Sequence, residues 1–267
     1  MSDAVRRSDK IATLWIEGAM REVDQVCIRS MVRAGLDVTV YRYGEVHNIP
    51  DGVKIADGRE VLDFDFIKRI RMVKRQDRLW QVSASFADFF RVVMQRHQLG
   101  LWLDTDVYVF RHFDYALDRP FFFKEDRERI GASVFYLPPD SPIIDEYERL
   151  MEQDELMPNW LGPWRGIVRP TWWRLTGQAF SPPDLGITIY GNDAFTRLAH
   201  RHGVDGEAGS KKAFYHWGAR ENEKLFNATD FQFFLDDPEY LGIHIHRKHL
   251  ALQPPVPGSF WAWARQQ

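Results

Sequence analysis

The segment LGLWLDTDVYVF (99–110) is almost continuously apolar, and two aspartates interrupt it. This apolar density is typical of a central strand that is buried on both faces, as in parallel sheets covered by helices. An amphipathic helix is predicted directly before it, over 83–98, because apolar residues recur there at helical spacing. Ser85 and Asp88 have the spacing of an N-terminal capping box for this helix. Together the two segments favour an α/β fold.

The N-terminal part of the chain predicts a strand–helix–strand unit. Strands are predicted at 11–16 and 36–43, and Gly35 stands where the intervening helix should end. The apolar residues with helical spacing between them are Met20, Val23, Cys27, Met31 and Ala34. Such a unit favours parallel strands with helices on the faces of the sheet. The turn after the first strand lacks the glycine spacing of a dinucleotide-binding fingerprint, which argues against NAD or FAD.

Composition and charge narrow the class of protein. Lys plus Arg (35) nearly balances Asp plus Glu (38), so no basic excess is available to hold a nucleic acid. The single cysteine, Cys27, excludes a disulfide framework and favours a reducing compartment. No apolar run reaches the ~20 residues that span a bilayer, and the N-terminus lacks the apolar region of a secretory signal. We therefore expect a cytoplasmic protein, and peripheral contact with the inner face of a membrane stays open.

The first candidate for a functional site is Asp104-Thr105-Asp106. In an extended segment, residues two apart point to the same face, so both carboxylates can converge on one cation. Ligands of open α/β sheets bind beyond the carboxyl ends of the strands, where this pair is expected. Two carboxylates suit Mg²⁺ or Mn²⁺. The alternative is a pair of buried aspartates that bind Arg or backbone N–H groups. A second copy, Asp63-Phe64-Asp65, follows no long apolar run and is expected on the surface.

Other polar residues are weaker candidates. Asp88 and Arg91 lie three residues apart on the predicted helix, and in isolation they indicate an ordinary ion pair on its polar side. His244 and His246 lie in a strand-like stretch, and we expect only one of them to face a site. His216 is another candidate near a metal or an acceptor, although a structural role is the default for a lone histidine. The basic residues of 68–78 are interpreted as a solvated helix face.

The segment SFADFFRVVMQRHQLGLWLDTDV (85–107) resembles the sugar-nucleotide-binding block of the DxD-containing glycosyltransferases of family 32. This family includes capsular-polysaccharide and yeast mannosyltransferases and is related to the large clostridial toxin glucosyltransferases. LWIEG (14–18) is similar to its first strand, and LGIHIHRKHL (241–250) is similar to its closing segment. The departures from the family pattern are Ala87 for Ser, Leu99-Gly100 for Gly-Gly, Trp102 for Tyr and His246 for Trp.

The resemblance implies a GT-A fold, which is α/β with a Rossmann-like mixed central sheet flanked by helices. It implies metal-dependent transfer of a sugar from a UDP- or GDP-sugar, with retention, to a saccharide or lipid-linked acceptor, as in polysaccharide biosynthesis. Without repeats or low-complexity linkers, we expect one domain over 1–267. Its donor-binding part should cover about 10–125, and its acceptor-binding and closing part about 126–267.

The resemblance also implies roles for individual residues. Trp15 would stack on the base, and Asp88 and Arg91 would hold donor-sugar hydroxyls or phosphate. Asp104 would contact the ribose and the sugar, and Asp106 would bind Mn²⁺ or Mg²⁺ directly. His244 would complete the metal shell with these two aspartates. The residues expected to be catalytic are Asp104, Asp106 and Arg91.

A segment rich in Trp and Arg lies between Pro158 and Arg174, and no acidic residue interrupts it. Aromatic faces stack on sugars, so Trp164, Trp172 and Trp173, with His216, are candidates for an acceptor wall. Trp and Arg are also favoured at a membrane interface, which would suit a lipid-linked acceptor. A loop packed on the core is the third interpretation.

Two other functions stay open. Phosphatases of the haloacid-dehalogenase type also begin with an apolar strand that ends in D-x-D-x-[TV], which Asp104–Val107 matches. About 100 residues precede the motif here, however, and the downstream Gly191-Asn192-Asp193 is a poor substitute for the acidic metal motif of those enzymes. The other alternative is a non-catalytic domain that binds a sugar nucleotide or a partner.

Overall fold

The structure is a computed structural model that describes residues 5–74 and 79–267. The strands are β1 Arg7–Ser8, β2 Lys10–Leu14, β3 Gly18–Ala19, β4 Asp37–Arg42, β5 Val46–His47, β6 Lys54–Asp57, β7 Leu101–Leu103, β8 Val107–Val109, β9 Tyr115–Ala116, β10 Phe121–Lys124, β11 Ile130–Tyr136 and β12 Gly242–His244. The centre of the fold is a six-stranded sheet with the order β10-β11-β7-β2-β4-β6. Strands β7, β2, β4 and β6 are parallel, and β11 and β10 continue the sheet in antiparallel pairing.

Helices cover both faces of this sheet. The helices are α1 Glu22–Arg33, α2 Leu79–Arg96, α3 Pro142–Met151, α4 Arg169–Leu175, α5 Asn192–Arg201, α6 Lys212–Tyr215, α7 Gln232–Asp236 and α8 Phe260–Ala264. Along β7, Leu101 and Leu103 join one apolar cluster, with residues of α1 and α6, whereas Trp102 joins a second cluster, with residues of α2, α3 and α5. This alternation is what a strand buried on both faces requires.

The predicted fold class, α/β with a mixed central sheet flanked by helices, is confirmed. The N-terminal strand–helix–strand unit is confirmed as well, since β2, α1 and β4 form it and β2 pairs with β4 in parallel. Gly35 follows the end of α1 with a φ of +80°, a conformation that costs glycine little.

Three predictions about local structure are wrong. The segment 99–110 is not one strand, because β7 ends before Asp104 and β8 leaves the main sheet to pair with β12. Helix α2 begins at Leu79, so Ser85 lies inside the helix and caps nothing. The basic residues of 68–74 do not form the face of one helix, because a 3₁₀ segment ends at Arg69 and 70–74 are not helical. The rest of that stretch, 75–78, lies outside the described residues.

Asp63-Phe64-Asp65 lies on the surface as predicted, with both carboxylates exposed. Asp63 caps the 3₁₀ segment by accepting a hydrogen bond from the Asp65 N–H at 2.9 Å. None of the helices described in 5–74 and 79–267 is both long enough and apolar enough to cross a bilayer.

Candidate metal and donor site

The site is built on the turn between β7 and β8. The Val107 N–H donates to the Asp104 carbonyl at 3.1 Å, and the Asp104 N–H donates to the Ser133 carbonyl of β11 at 2.8 Å. The Thr105 hydroxyl donates to Asp24 Oδ1 of α1 at 2.6 Å. The two aspartates therefore converge because a fixed turn presents them, and not because an extended strand places them on one face.

Asp24 connects this turn to the first strand. It is fully buried in the first turn of α1 and accepts two hydrogen bonds from Arg21, at 2.6 and 2.9 Å. The Arg21 guanidinium lies over the ring of Trp15 at 5.4 Å. Trp15 follows β2 and Asp104 follows the parallel β7, so both residues lie at the carboxyl edge of the sheet. Asp24 was not predicted from the sequence, although an acidic residue in a first helical turn is a recognisable signal.

Asp104, Asp106 and His244 form the predicted metal-ligand cluster. Each offers one ligand atom, and these atoms lie within 4.8 Å of one another. His244 reaches the turn because β12 pairs with β8, which places His244 opposite Val107. The Ile245 N–H donates to the Asp106 carbonyl at 2.9 Å and fixes this register. His244 Nε2 lies 3.2 Å from Asp106 Oδ1.

Asp106 is a buried carboxylate that stays charged. Burial alone would raise its pKa, but Lys248 and His244 outweigh that effect and hold the pKa well below its ordinary value. The Lys248 ammonium contacts Oδ2. Within the described chain, Oδ1 is buried and accepts no hydrogen bond of good geometry. Two carboxylates and an imidazole, with one carboxylate oxygen still to be satisfied, fit a divalent cation. Lys248 was missed because it lies far from the motif in sequence.

Asp88 and Arg91 form the i, i+3 ion pair that their spacing indicates, but both are buried, so they do not lie on a polar side of the helix. Arg91 Nη2 lies 3.3 Å from Asp88 Oδ1, and Nη1 lies 3.4 Å from Asp104 Oδ1. Nη1 also donates to the Ala132 carbonyl at 2.7 Å. Asp104 Oδ1 accepts a further hydrogen bond from Trp102 Nε1 at 2.7 Å. Arg91 and Trp102 therefore fix the orientation of the Asp104 carboxylate.

Burial dominates the electrostatics of Asp88. It raises the pKa of this carboxyl to about 7, although Arg91 acts in the opposite direction. A Cβ at Gly191 would lie 2.9 Å from Asp88 Oδ1, so the glycine leaves room for the carboxylate. Gly191 directly precedes α5, whose first residue, Asn192, accepts a hydrogen bond from the Ala132 N–H at 3.0 Å.

His246 lies beside His244, with 4.1 Å between the ring centroids. The expectation that only one of them would face the site is wrong, because residues two apart along an extended chain point to the same side. Burial and the neighbouring His244 lower the pKa of His246 to about 3. Its Nε2 lies 3.9 Å from Glu125 Oε1, and Glu125 accepts a hydrogen bond from Asn192 Nδ2 at 2.5 Å.

A cleft of about 620 Å³ opens beside these residues, between 125–129 and 218–221. Glu125 belongs to its wall and also approaches His246, so this residue connects the cleft to the histidine pair, although neither histidine lines the cleft. Asn222, next to the second wall, donates to the His244 carbonyl at 2.9 Å. The cleft was not predicted from the sequence, because segments far apart in the chain form its two walls.

The residues predicted for an acceptor wall are not grouped at the metal cluster. Trp173 is buried, with Arg169 at 4.4 Å and Lys74 at 3.9 Å from its ring centroid. Trp164 and Trp172 are exposed. The contacts of the His216 ring are aromatic, and its Nδ1 lies 3.3 Å from the Tyr240 hydroxyl. The rings around His216 belong to Trp217, Phe233, Phe234 and Tyr240.

No protein-family model matches the sequence, and no match was found among curated proteins. Among solved structures, the chain is similar to one named PaToxG glycosyltransferase, with 12% sequence identity and a TM-score of 0.43. The similarity covers 75% of this chain and 72% of that chain. A likeness with so low an identity and TM-score carries no argument about activity, and the resemblance to family 32 stays a prediction.

Proposed function

We propose that this protein is a metal-dependent glycosyltransferase of the GT-A type. It would transfer a sugar, with retention, from a UDP- or GDP-sugar to a saccharide or lipid-linked acceptor. The observation that carries the proposal is the cluster of Asp104, Asp106 and His244, which lies at the carboxyl edge of parallel strands. One buried oxygen of Asp106 accepts no hydrogen bond of good geometry from any residue in the described part of the chain.

In this proposal Asp106, Asp104 and His244 hold Mn²⁺ or Mg²⁺. The bound cation would stabilise the negative charge that develops on the diphosphate as the bond to the sugar breaks. The chain contributes a carboxylate, Asp106, that stays ionised although it is buried. Lys248 and Arg21 add positive charge near the same carboxylate, where a diphosphate would have to be accommodated.

The donor sugar and the base would lie on either side of this metal site. Arg91 is held by Asp88 and Asp104 and is buried, so it can orient Asp104 toward donor hydroxyls without movement. Trp15 lies at the same edge of the sheet, and Arg21 covers one face of its ring. Trp15 is only partly buried, so the base would stack on the part of its ring that stays exposed.

Two groups of residues are candidates for the acceptor site. The acceptor residues predicted from the sequence, which are Trp164, Trp172, Trp173 and His216, stay a proposal. The cleft beside Glu125 is a further candidate, because Glu125 in its wall lies 3.9 Å from His246. Its walls carry both acidic and basic side chains, which can hydrogen-bond sugar hydroxyls.

The test is release of nucleotide diphosphate from a panel of UDP- and GDP-sugars, with and without Mn²⁺. We expect metal-dependent release from one donor, and loss of that release in Asp106→Asn. The matched control is Asp65→Asn, because it changes the last residue of the other D-x-D copy, which is exposed. That variant should keep the activity of the unchanged protein.

Other outcomes would replace the proposal. Phosphate release from phosphomonoesters, without any nucleotide product, would assign the chain to the phosphatases. Binding of a sugar nucleotide without turnover in any acceptor context would favour the non-catalytic domain.

A further inference from the structure

An exposed apolar stripe runs along the segment 164–175. A π-helical turn, Trp164–Val168, continues directly into α4, and residues three and four apart on such a helix share a face. The described chain exposes twelve large apolar side chains, and five of them are in this short segment. They are Trp164, Ile167, Val168, Trp172 and Leu175, and we call them the exposed stripe.

The opposite side of the same helix anchors it to the protein. Trp173 and Pro170 are buried, and Trp173 packs among the core residues of α2, α3 and α5. Arg165 forms an ion pair of 2.7 Å with Asp193 of α5. The exposed stripe is thus held outward by a fixed helix.

Positive charge borders the exposed stripe. No acidic residue occurs between Pro158 and Arg174, whereas three arginines do. Arg165 and Arg174 have carboxylate partners, Asp193 and Glu155. Arg169 forms no ion pair with any residue in the described part of the chain and stacks on Trp173 instead. Arg169 is partly exposed and precedes Trp172 by three residues on the helix, so its charge lies at the border between the buried side and the exposed stripe. An arginine without an ion-pair partner at this border complements a negatively charged surface.

We propose that the exposed stripe docks on an anionic lipid bilayer. Its apolar side chains enter the interface between headgroups and acyl chains, and Arg169 meets the lipid phosphates. A saccharide is a poorer occupant, because Ile167, Val168 and Leu175 offer no hydrogen-bonding group. A second copy of the chain is also poorer, since a stripe about 18 Å long supplies little of the ~800 Å² per partner of a stable interface.

The test is flotation of the full chain with vesicles of phosphatidylglycerol and phosphatidylcholine, against vesicles of phosphatidylcholine alone. We expect binding to the anionic vesicles that weakens at high salt. Trp164→Gln with Trp172→Gln should lower the affinity at least about tenfold. Arg169→Gln should lower the affinity roughly fivefold on anionic vesicles only.

The matched pair of variants is Ile167→Gln and Ile55→Gln, because both isoleucines are exposed but Ile55 lies on β6, outside the exposed stripe. Ile167→Gln should weaken binding to the vesicles, and Ile55→Gln should leave it unchanged.

Three results would overturn the proposal. The first is that the unchanged chain does not bind the anionic vesicles. The second is that stripe variants convert a dimer into a monomer without changing vesicle binding, which would assign the stripe to a second copy. The third is that they change only the KM for a saccharide acceptor. The vesicle assay contains no sugar nucleotide, so its failure is separate from failure of the proposed transferase activity.

Discussion

At the scale of single residues, Lys248 and a bound cation would act on the same carboxylate. Lys248 contacts Oδ2 of Asp106, and Oδ1 accepts no well-aligned hydrogen bond from the residues that the structure describes. Lys248→Gln should therefore destabilise the metal-free protein, on the order of 1–2 kcal/mol since the ammonium is partly exposed. Saturating Mn²⁺ should recover part of this loss. Thermal unfolding with a chelator and with Mn²⁺ measures both effects.

The control for this prediction is Lys224→Gln. Lys224 also forms an ion pair, 2.8 Å from Glu221, but both partners are exposed and neither contacts Asp106. Its response to Mn²⁺ should equal that of the unchanged protein. If Mn²⁺ stabilises Lys248→Gln no more than it stabilises the unchanged protein, the lysine and the metal do not neutralise the same carboxylate.

Asp88 predicts a pH dependence of stability. Its pKa is raised to about 7, so between about pH 4 and pH 7 the folded state binds a proton that the unfolded chain has released. Stability therefore falls as pH rises through this window, and the loss is complete above pH 7. Asp88→Asn removes the titrating group and should not lose this stability. As the pH rises from 5 to 8, the variant should therefore become more stable than the unchanged protein by a further amount of about a few kcal/mol.

Urea unfolding of both proteins at pH 5 and pH 8 measures this difference. Asp65→Asn is again the control, because an exposed carboxylate should give no such change between the two pH values. If the free energies of unfolding of Asp88→Asn and the unchanged protein differ by the same amount at both pH values, the Asp88 carboxyl does not titrate in this window.

At the scale of elements, the sequence predicted the main elements because their signals are local. The helical spacing of α2 and the apolar density around Trp102 depend only on neighbouring residues. The break between β7 and β8 was not predicted, because both strands are apolar and pairing with β12, far along the chain, separates them. Glu125 and Lys248 were missed for the same reason, since only tertiary contacts bring them to the site.

The two residues before β7 differ in whether they require glycine. Gly100 has a φ of +129°, and a Cβ there would lie 2.7 Å from the Lys10 carbonyl oxygen. This position therefore requires glycine. The preceding position does not, and Leu99 packs against the core instead.

The hydrogen bond between Thr105 and Asp24 predicts how α1 stabilises the turn. Thr105→Val keeps the shape of the side chain but removes the hydroxyl that donates to the buried carboxylate at 2.6 Å. We expect a loss of about 1.5–3 kcal/mol in the free energy of unfolding, and weaker Mn²⁺ binding because the turn presents Asp104 and Asp106. Thr105→Ser keeps the hydroxyl and should lie closer to the unchanged protein in both measurements. Equal losses in the two variants would mean that packing of the methyl group dominates.

At the scale of the whole molecule, the candidate metal ligands come from two distant parts of the chain. Asp104 and Asp106 lie on the turn after the central strand, whereas His244 belongs to the last strand. The unfolded chain does not hold these three residues together. A cation that binds them should therefore stabilise the fold as a whole, by about 2.7 kcal/mol at a concentration 100 times its Kd.

This stabilisation distinguishes a metal site from a purely structural cluster. Mn²⁺ should raise the Tm of the unchanged protein by about 5–10 °C near saturation, since 1 kcal/mol corresponds to about 2–4 °C for a chain of this size. His244→Ala should reduce the rise, and Asp106→Asn should abolish it. His216→Ala is the control, because His216 packs among aromatic rings away from the carboxylates, so it should keep the full rise even if its own Tm is lower. If Mn²⁺ raises the Tm of Asp106→Asn as much as that of the unchanged protein, Mn²⁺ binds elsewhere. Asp104, Asp106 and His244 would then hold one another without a metal.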